Sequence, residues 1–181
     1  MGINSDLMKN LELKAIYSDL EKGEEIARGL GAEYQWERFQ RDTFFRVPQG
    51  RLKLRETNDG ISELIAYFRP NRQSEKWSDY EIVRISDPEK TKSLLERSLG
   101  ILGIVEKNRK LYRLKNARIH LDRVRELGTF LEFEIIVKTQ EEESEAPILI
   151  NHLKQSFQLA ENQFVANAYL DLLLKKQPEL Q

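Results

Sequence analysis

The sequence predicts an α+β fold, with about eight mostly antiparallel strands and helices set between and after them. Three observations carry this. Apolar and charged residues alternate with period two along much of the chain, as in strands with one wet face. The links between those segments are short and rich in Gly, Pro, Asn and Asp, which favours antiparallel neighbours. Apolar residues at helical spacing fall in separate stretches that capping residues open.

In order, Leu11 and Leu13 alternate with Asn10, Glu12 and Lys14 in a first strand over 8–17. Ser18 and Glu21 form a capping-box pair that opens a helix through Ile26, Ala27 and Leu30, with Gly31 to end it. Strands are expected at 34–47, 51–56, 63–69 and 77–85, divided by Pro48-Gln49-Gly50, Asn58-Asp59-Gly60 and the run from Pro70 to Ser74. Ser86-Asp87-Pro88-Glu89 supplies a cap, a first-turn proline and an acid for a helix with Leu94, Leu95 and Leu99 on its apolar side. Strands at 104–114, 117–124 and 129–138 follow. The acidic run from Glu141 to Glu145 reads as a solvated connection ahead of the next helix. Phe164, Val165, Ala168, Tyr169, Leu172 and Leu173 read as the packing stripe of a last helix.

The 181 residues are expected to form a single domain, 1–181, with room for a substantial core. Cysteine is absent, which excludes a disulfide framework and thiolate metal sites. Nothing reads as a secretory leader or a membrane span, so a cytoplasmic location and no membrane partner are expected. With 29 basic and 30 acidic residues the net charge is −1, and no nucleic-acid partner is expected from so balanced a field. Charged residues make up 33% of the chain, above the roughly 25% of ordinary domains, so their placement matters.

Arg51, Lys53 and Arg55 share one strand face, with Leu52 and Leu54 on the other. Lys107, Arg109 and Arg113 share a parity, and Arg69 follows Tyr67 at the same spacing. Glu132 and Glu134 alternate with Leu131, Phe133 and Ile135, while Arg118, His120 and Asp122 alternate with Ile119 and Leu121. For any one strand such a face is simply the wet side of a sheet. A solubilising face mixes signs, however, whereas the like charges on these strands repel. An anion among the cations and a divalent cation at Glu132 and Glu134 would relieve both. A polyanion, such as a triphosphate-containing small molecule, fits as partner and, with oxygen ligands and no thiolate, Mg²⁺ or Mn²⁺ as cofactor. Phosphate-loop, dinucleotide, zinc-protease and nucleophile-elbow motifs are missing, and two histidines, His120 and His152, do not make a His-rich metal site.

Asn10-Leu11-Glu12-Leu13-Lys14 resembles the N-terminal Glu-x-Glu-x-Lys signature of the CYTH, or triphosphate tunnel metalloenzyme, superfamily, the group of class IV adenylyl cyclase and thiamine triphosphatase. Asn10 departs from it, supplying no charge where the signature has its first glutamate. The resemblance continues in order through Gln40-Arg41-Asp42-Thr43-Phe44-Phe45, Gly50-Arg51-Leu52-Lys53-Leu54-Arg55, Tyr67-Phe68-Arg69-Pro70 and Val105-Glu106-Lys107-Asn108-Arg109. It ends with Arg118-Ile119-His120-Leu121-Asp122 and Leu127-Gly128-Thr129-Phe130-Leu131-Glu132-Phe133-Glu134, and so covers nearly the whole chain. It implies an eight-stranded antiparallel β-barrel, a triphosphate tunnel, with flanking α-helices; alternation alone does not distinguish that from an open sheet. It implies Glu12, Glu81, Asp122, Glu132 and Glu134 as metal-side acids. It implies Lys14, Arg51, Lys53, Arg55, Arg69, Lys107, Arg109 and Arg118 as triphosphate-side cations, and Glu12, Lys14, Glu132 and Glu134 as the catalytic set.

Three functions fit these residues. One is a metal-dependent hydrolase cleaving inorganic, thiamine or nucleoside triphosphate; another is a class IV adenylyl cyclase making cyclic AMP and pyrophosphate from ATP; the third is a non-catalytic polyphosphate-binding module. The acids favour an enzyme, because carboxylates in an anion pocket weaken binding unless a metal occupies them. The charge missing at Asn10 favours the module. Between the reactions, hydrolysis asks less of the pocket. A homodimer is expected on base rate alone.

Overall fold

A computed structural model of the chain describes residues 8–68 and 76–176. Its strands are β1 (Met8–Ile16), β2 (Glu33–Phe45), β3 (Arg51–Thr57), β4 (Ser62–Phe68), β5 (Lys76–Arg84), β6 (Ile101–Leu114), β7 (Ala117–Val124) and β8 (Gly128–Val137). They close into an antiparallel barrel in the order β1-β5-β4-β3-β2-β6-β7-β8. Helix α1 (Leu20–Gly29) follows β1, α2 (Pro88–Leu99) joins β5 to β6, and α3 (Gln140–Ser156) and α4 (Tyr169–Lys176) follow β8. No helix among the described residues is long and apolar enough to cross a membrane.

Closure explains the alternation. In β1, β3, β7 and β8 the charged parity points into the barrel and the apolar parity points outward, where helices cover part of it. Outer residues Leu11, Leu13, Tyr112, Ile119, Leu121 and Phe133 pack with Ala27 of α1 and with Ile150, Leu153 and Phe157 of and after α3. A smaller core joins Phe44, Val105, Val124 and Phe130 to Tyr169 and Leu170, which lays α4 across that end of the barrel. Gly103 permits this approach, since a Cβ there would lie 2.6 Å from Leu170 Cδ1.

Several elements differ from expectation. The cap of α1 is Asp19, whose side chain accepts the Lys22 N–H at 3.0 Å. The acidic run forms the first turns of α3, behind a Thr139–Glu142 capping box that satisfies orphan amides. The last helix begins only at Tyr169. Phe164 instead bridges Ala15, and the Val165 N–H donates to the Lys14 carbonyl at 2.9 Å. The reason lies in β1: β5 pairs with it only from Met8 to Glu12, and the segment around Phe164 takes the backbone beyond. The expected loop from Pro70 to Ser74, and Arg69, lie outside the described residues.

A bulge interrupts β2. Tyr34 pairs with Tyr112 and Trp36 with the adjacent Leu111, so Gln35 is an extra residue. Tyr34 therefore packs outside the barrel on Tyr112, at 5.5 Å between ring centroids, while Trp36 points inside.

Candidate active site

Strand register assembles the interior. Across β1 and β8, Glu12 stands opposite Glu134 and Lys14 opposite Glu132. Across β7 and β8, Arg118 faces Glu134 and His120 faces Glu132. Arg109 pairs with Asp122 across β6 and β7, Arg38 with Arg109 across β2 and β6, and Asp42 with Arg55 across β2 and β3. All of these side chains except that of Asp122 line a cavity of about 360 Å³, which Ala168 and Tyr169 also line at the α4 end. That size is near the low end of the roughly 300–1,000 Å³ of small-molecule sites.

The cation wall is built on β2, β3 and β6 around one buried acid. Asp42 accepts from Arg55 at 2.7 and 2.8 Å, from Lys53 at 2.9 Å and from Lys107 at 3.3 Å. Burial alone would raise the Asp42 carboxyl, but Arg55, Lys107 and Lys53 hold it well below the usual carboxylate range. Burial presses Lys107 down to about 7 against the support of Asp42, and Arg109 and Arg55 add to the fall. Lys53 falls to about 8, through burial and then Arg55. Two buried lysines of this wall thus titrate close to neutral pH.

The acid wall is built on β1, β7 and β8. Glu132 lies 3.5 Å from the Lys14 ammonium and accepts from Arg109. Burial opposes its charge, yet Lys14 and Arg109 keep its carboxyl well below the usual range. Glu134 accepts from Arg118 at 3.2 Å and from the Asn10 amide. Asn10 is fully buried, so where the family signature has a carboxylate this chain puts a donor onto Glu134. His120 is held neutral, chiefly by burial and then by Arg109, and its Nδ1 lies 3.7 Å from Glu132.

Among the sequence-predicted residues, Glu12, Lys14, Lys53, Arg55, Lys107, Arg109, Arg118, Glu132 and Glu134 line one cavity. Glu81 does not: it is exposed, because its neighbours Tyr80 and Ile82 take the inward parity of β5. Asp122 sits behind the lining, with its oxygens taken by Arg109 at 2.6 Å and by the Tyr169 hydroxyl at 2.7 Å. Arg51 is inward but beyond the cavity, paired with Asp171 of α4 at 2.8 Å. Arg69 lies outside the described residues.

Sequence reasoning missed Asp42, Arg38, Trp36 and Tyr169. Asp42 had a signal, an acid sharing parity with Gln40 and Phe44 inside a quoted motif, but the fully buried end of β2 hides its two faces. Tyr169 was hidden in an apolar stripe. Its ring lies 4.0 Å from Lys14 Nζ, a cation–π contact.

A hard divalent cation is consistent with the donor types available, carboxylate oxygens with no thiolate. Glu12 and Glu134 face each other, a like-charge cross-strand pair that destabilises a sheet unless a cation is shared. Among the described residues no three acids or histidines converge closely enough to hold an ion in this arrangement, where Lys14, Arg109, Arg118 and Asn10 occupy Glu132 and Glu134.

Known proteins share this architecture. A Pyrococcus horikoshii protein, PH1012, superposes with a TM-score of 0.81 at 26% identity, over 90% of this chain and 98% of its own. A Methanocaldococcus jannaschii protein named "Putative adenylate cyclase MJ0240" is 23% identical, over 91% of this chain and 98% of its own. A Hippeastrum protein, named "Putative adenylyl cyclase HpAC1" and described as having a dominant triphosphatase activity, superposes with a TM-score of 0.62 at 15% identity, over 96% and 98% of the two chains. At that identity the likeness is one of fold. The CYTH domain model matches residues 8–169, and with that span of barrel and tunnel the chain belongs to the CYTH domain family.

Proposed function

We propose that the protein is a metal-dependent hydrolase of a triphosphate held in the barrel. One observation carries this: Glu12 opposite Glu134 and Arg38 opposite Arg109 set like charges across from one another at one cavity, an arrangement complementary to a polyanion with its divalent cation. Lys53, Arg55, Lys107 and Arg109 would bind phosphate oxygens, and Asp42 would hold three of them in place beforehand. A bound triphosphate would raise Lys107 and Lys53 again, so both would be fully charged only when the anion is present.

Glu12, Glu132 and Glu134 would hold Mg²⁺ or Mn²⁺, which when bound supplies charge neutralisation and polarises water or a phosphoryl oxygen. Glu132, held well below its ordinary range, is a poor proton acceptor and suits a ligand's role. Asp122 would orient Arg109 from behind, and α4 would exclude water from the inner end through Tyr169.

A second reading, conversion of ATP to cyclic AMP and pyrophosphate, is favoured by the adenylate cyclase name of the M. jannaschii relative. The test is incubation of pure protein with inorganic triphosphate, thiamine triphosphate or ATP and Mg²⁺ or Mn²⁺, followed by separation of the products. Orthophosphate release is expected. Cyclic AMP with pyrophosphate would establish the second reading, and tight binding without turnover would leave a polyphosphate-binding module.

A further inference from the structure

The interior changes character along β2. From the open end inward the lining residues are Trp36, Arg38, Gln40 and Asp42, each about 6.6 Å beyond the last. Asp42 belongs to the cation cluster already described. The three before it lie outside that cluster, and each carries a distinctive feature. Trp36 is a large aromatic in a polar barrel, on the same inward face of β2 as Arg38, Gln40 and Asp42, and the Gln35 bulge turns its neighbour Tyr34 outward. The Arg38 guanidinium lies 4.4 Å over its ring and is steadied by Asp59 at 2.6 Å. Gln40 is 3% exposed, and its side-chain oxygen has no hydrogen-bond partner. Ile61 and Ile82 add apolar surface to the cavity lining, and Ile82 is 38% exposed although it points inward.

An aromatic plane, then a guanidinium, then an unused acceptor follow one another along the strand that carries Asp42. Resting on the triphosphate reading of the tunnel, we infer that Trp36, Arg38 and Gln40 form the subsite for the organic end of the substrate. That end is a planar, uncharged heteroaromatic ring on a hydroxyl-bearing linker, the chemistry of a nucleoside. The ring stacks at Trp36, a contact that every base face can make. A linker hydroxyl donates to the Gln40 oxygen and satisfies it. A cationic ring is disfavoured because Arg38 already lies over the indole. Trp36 is a specificity-determining residue in this assignment, not a catalytic one.

The test compares ligands that share a triphosphate and differ at the other end. Wild type, Trp36→Ala and Trp36→Phe are titrated calorimetrically with inorganic triphosphate, ATP and thiamine triphosphate. In Trp36→Ala the ratio of ATP affinity to inorganic triphosphate affinity is expected to fall about tenfold, and Trp36→Phe to recover most of it. Equal weakening of both ligands, or an unchanged ratio, would overturn the subsite. A thiamine triphosphate loss as large as that for ATP would overturn the exclusion of a cationic ring. Wild-type protein that binds no inorganic triphosphate would overturn the tunnel reading itself, and this inference with it. A second measurement does not depend on the alanine variant folding. The chain has two tryptophans, so in Trp77→Phe the indole emission reports Trp36 alone; ATP should quench it and inorganic triphosphate should not. Quenching by both to the same extent would overturn the assignment.

Discussion

The two walls of the tunnel are built on different foundations. Behind the acids, the outer faces of β1, β7 and β8 are sealed by α1 and α3, and α3 buries Ala146, Ile150 and Leu153. Behind the cations less is packed: α2, which lies against β2 and β3, buries no residue of its own, and its Leu94 is exposed. The acid wall inherits its geometry from a hydrophobic core. The cation wall takes much of its geometry from charge, through Asp42. Stability and phosphate binding should therefore separate when the two halves are perturbed.

The largest expected effect tests the core behind the acids. Phe133→Ala should lower unfolding stability by about 3–5 kcal/mol in denaturant titration, because Phe133 is fully buried there. Leu94→Ala on α2 should stay within about 0.5 kcal/mol. Comparable losses for both would break the asymmetry.

Next come the acids themselves. Glu132→Gln and Glu134→Gln should each reduce metal-dependent turnover by about 100-fold or more, with the far-ultraviolet circular dichroism of the fold retained. Near wild-type turnover in both would remove the proposed metal-side role.

A smaller effect lies in pH, where the cation wall makes two quantities move in opposite directions. Lys107 and Lys53 lie at about 7 and about 8 in the folded protein, whereas the unfolded chain keeps its lysines protonated to about 10.4. Between those limits the unfolded state binds more protons, so the ligand-free protein gains stability as pH rises from about 7 towards 10. Triphosphate affinity should fall through the same window, because the free protein must take up protons to bind. Thermal unfolding and calorimetric titration from pH 6.5 to about 9 measure both slopes; slopes of the same sign would contradict this account. Asp42→Asn should move the loss of affinity to lower pH, since Asp42 is the group that supports both charges.

Most of the barrel was legible because it is written in period two. Strands 51–56 and 117–124 lie within a residue of β3 and β7, since clean alternation survives when one face is charged and the other apolar. The last helix was overcalled for the opposite reason. Apolar spacing cannot register that the Phe164 segment has a better use for its amides on the unpaired end of β1. Within the site, strand parity found the wall residues but could not rank them. Glu81 is an acid on the wrong face of β5, and Asp122 is on the right face but committed to Arg109 and Tyr169. Trp36 was invisible because parity counted from Tyr34 gives it the wrong side.

That last point has a consequence for changes of chain length. In the register of β2, Tyr34 and Trp36 behave as consecutive residues, and Gln35 is the surplus between them. Deleting Gln35 would turn the bulge into an ordinary ladder and leave Trp36, Arg38, Gln40 and Asp42 facing inward. Deleting a residue between Trp36 and Asp42 would instead send every side chain on one side of the cut to the opposite face. Position 35 is thus where this strand can shorten by one residue without rewriting the tunnel.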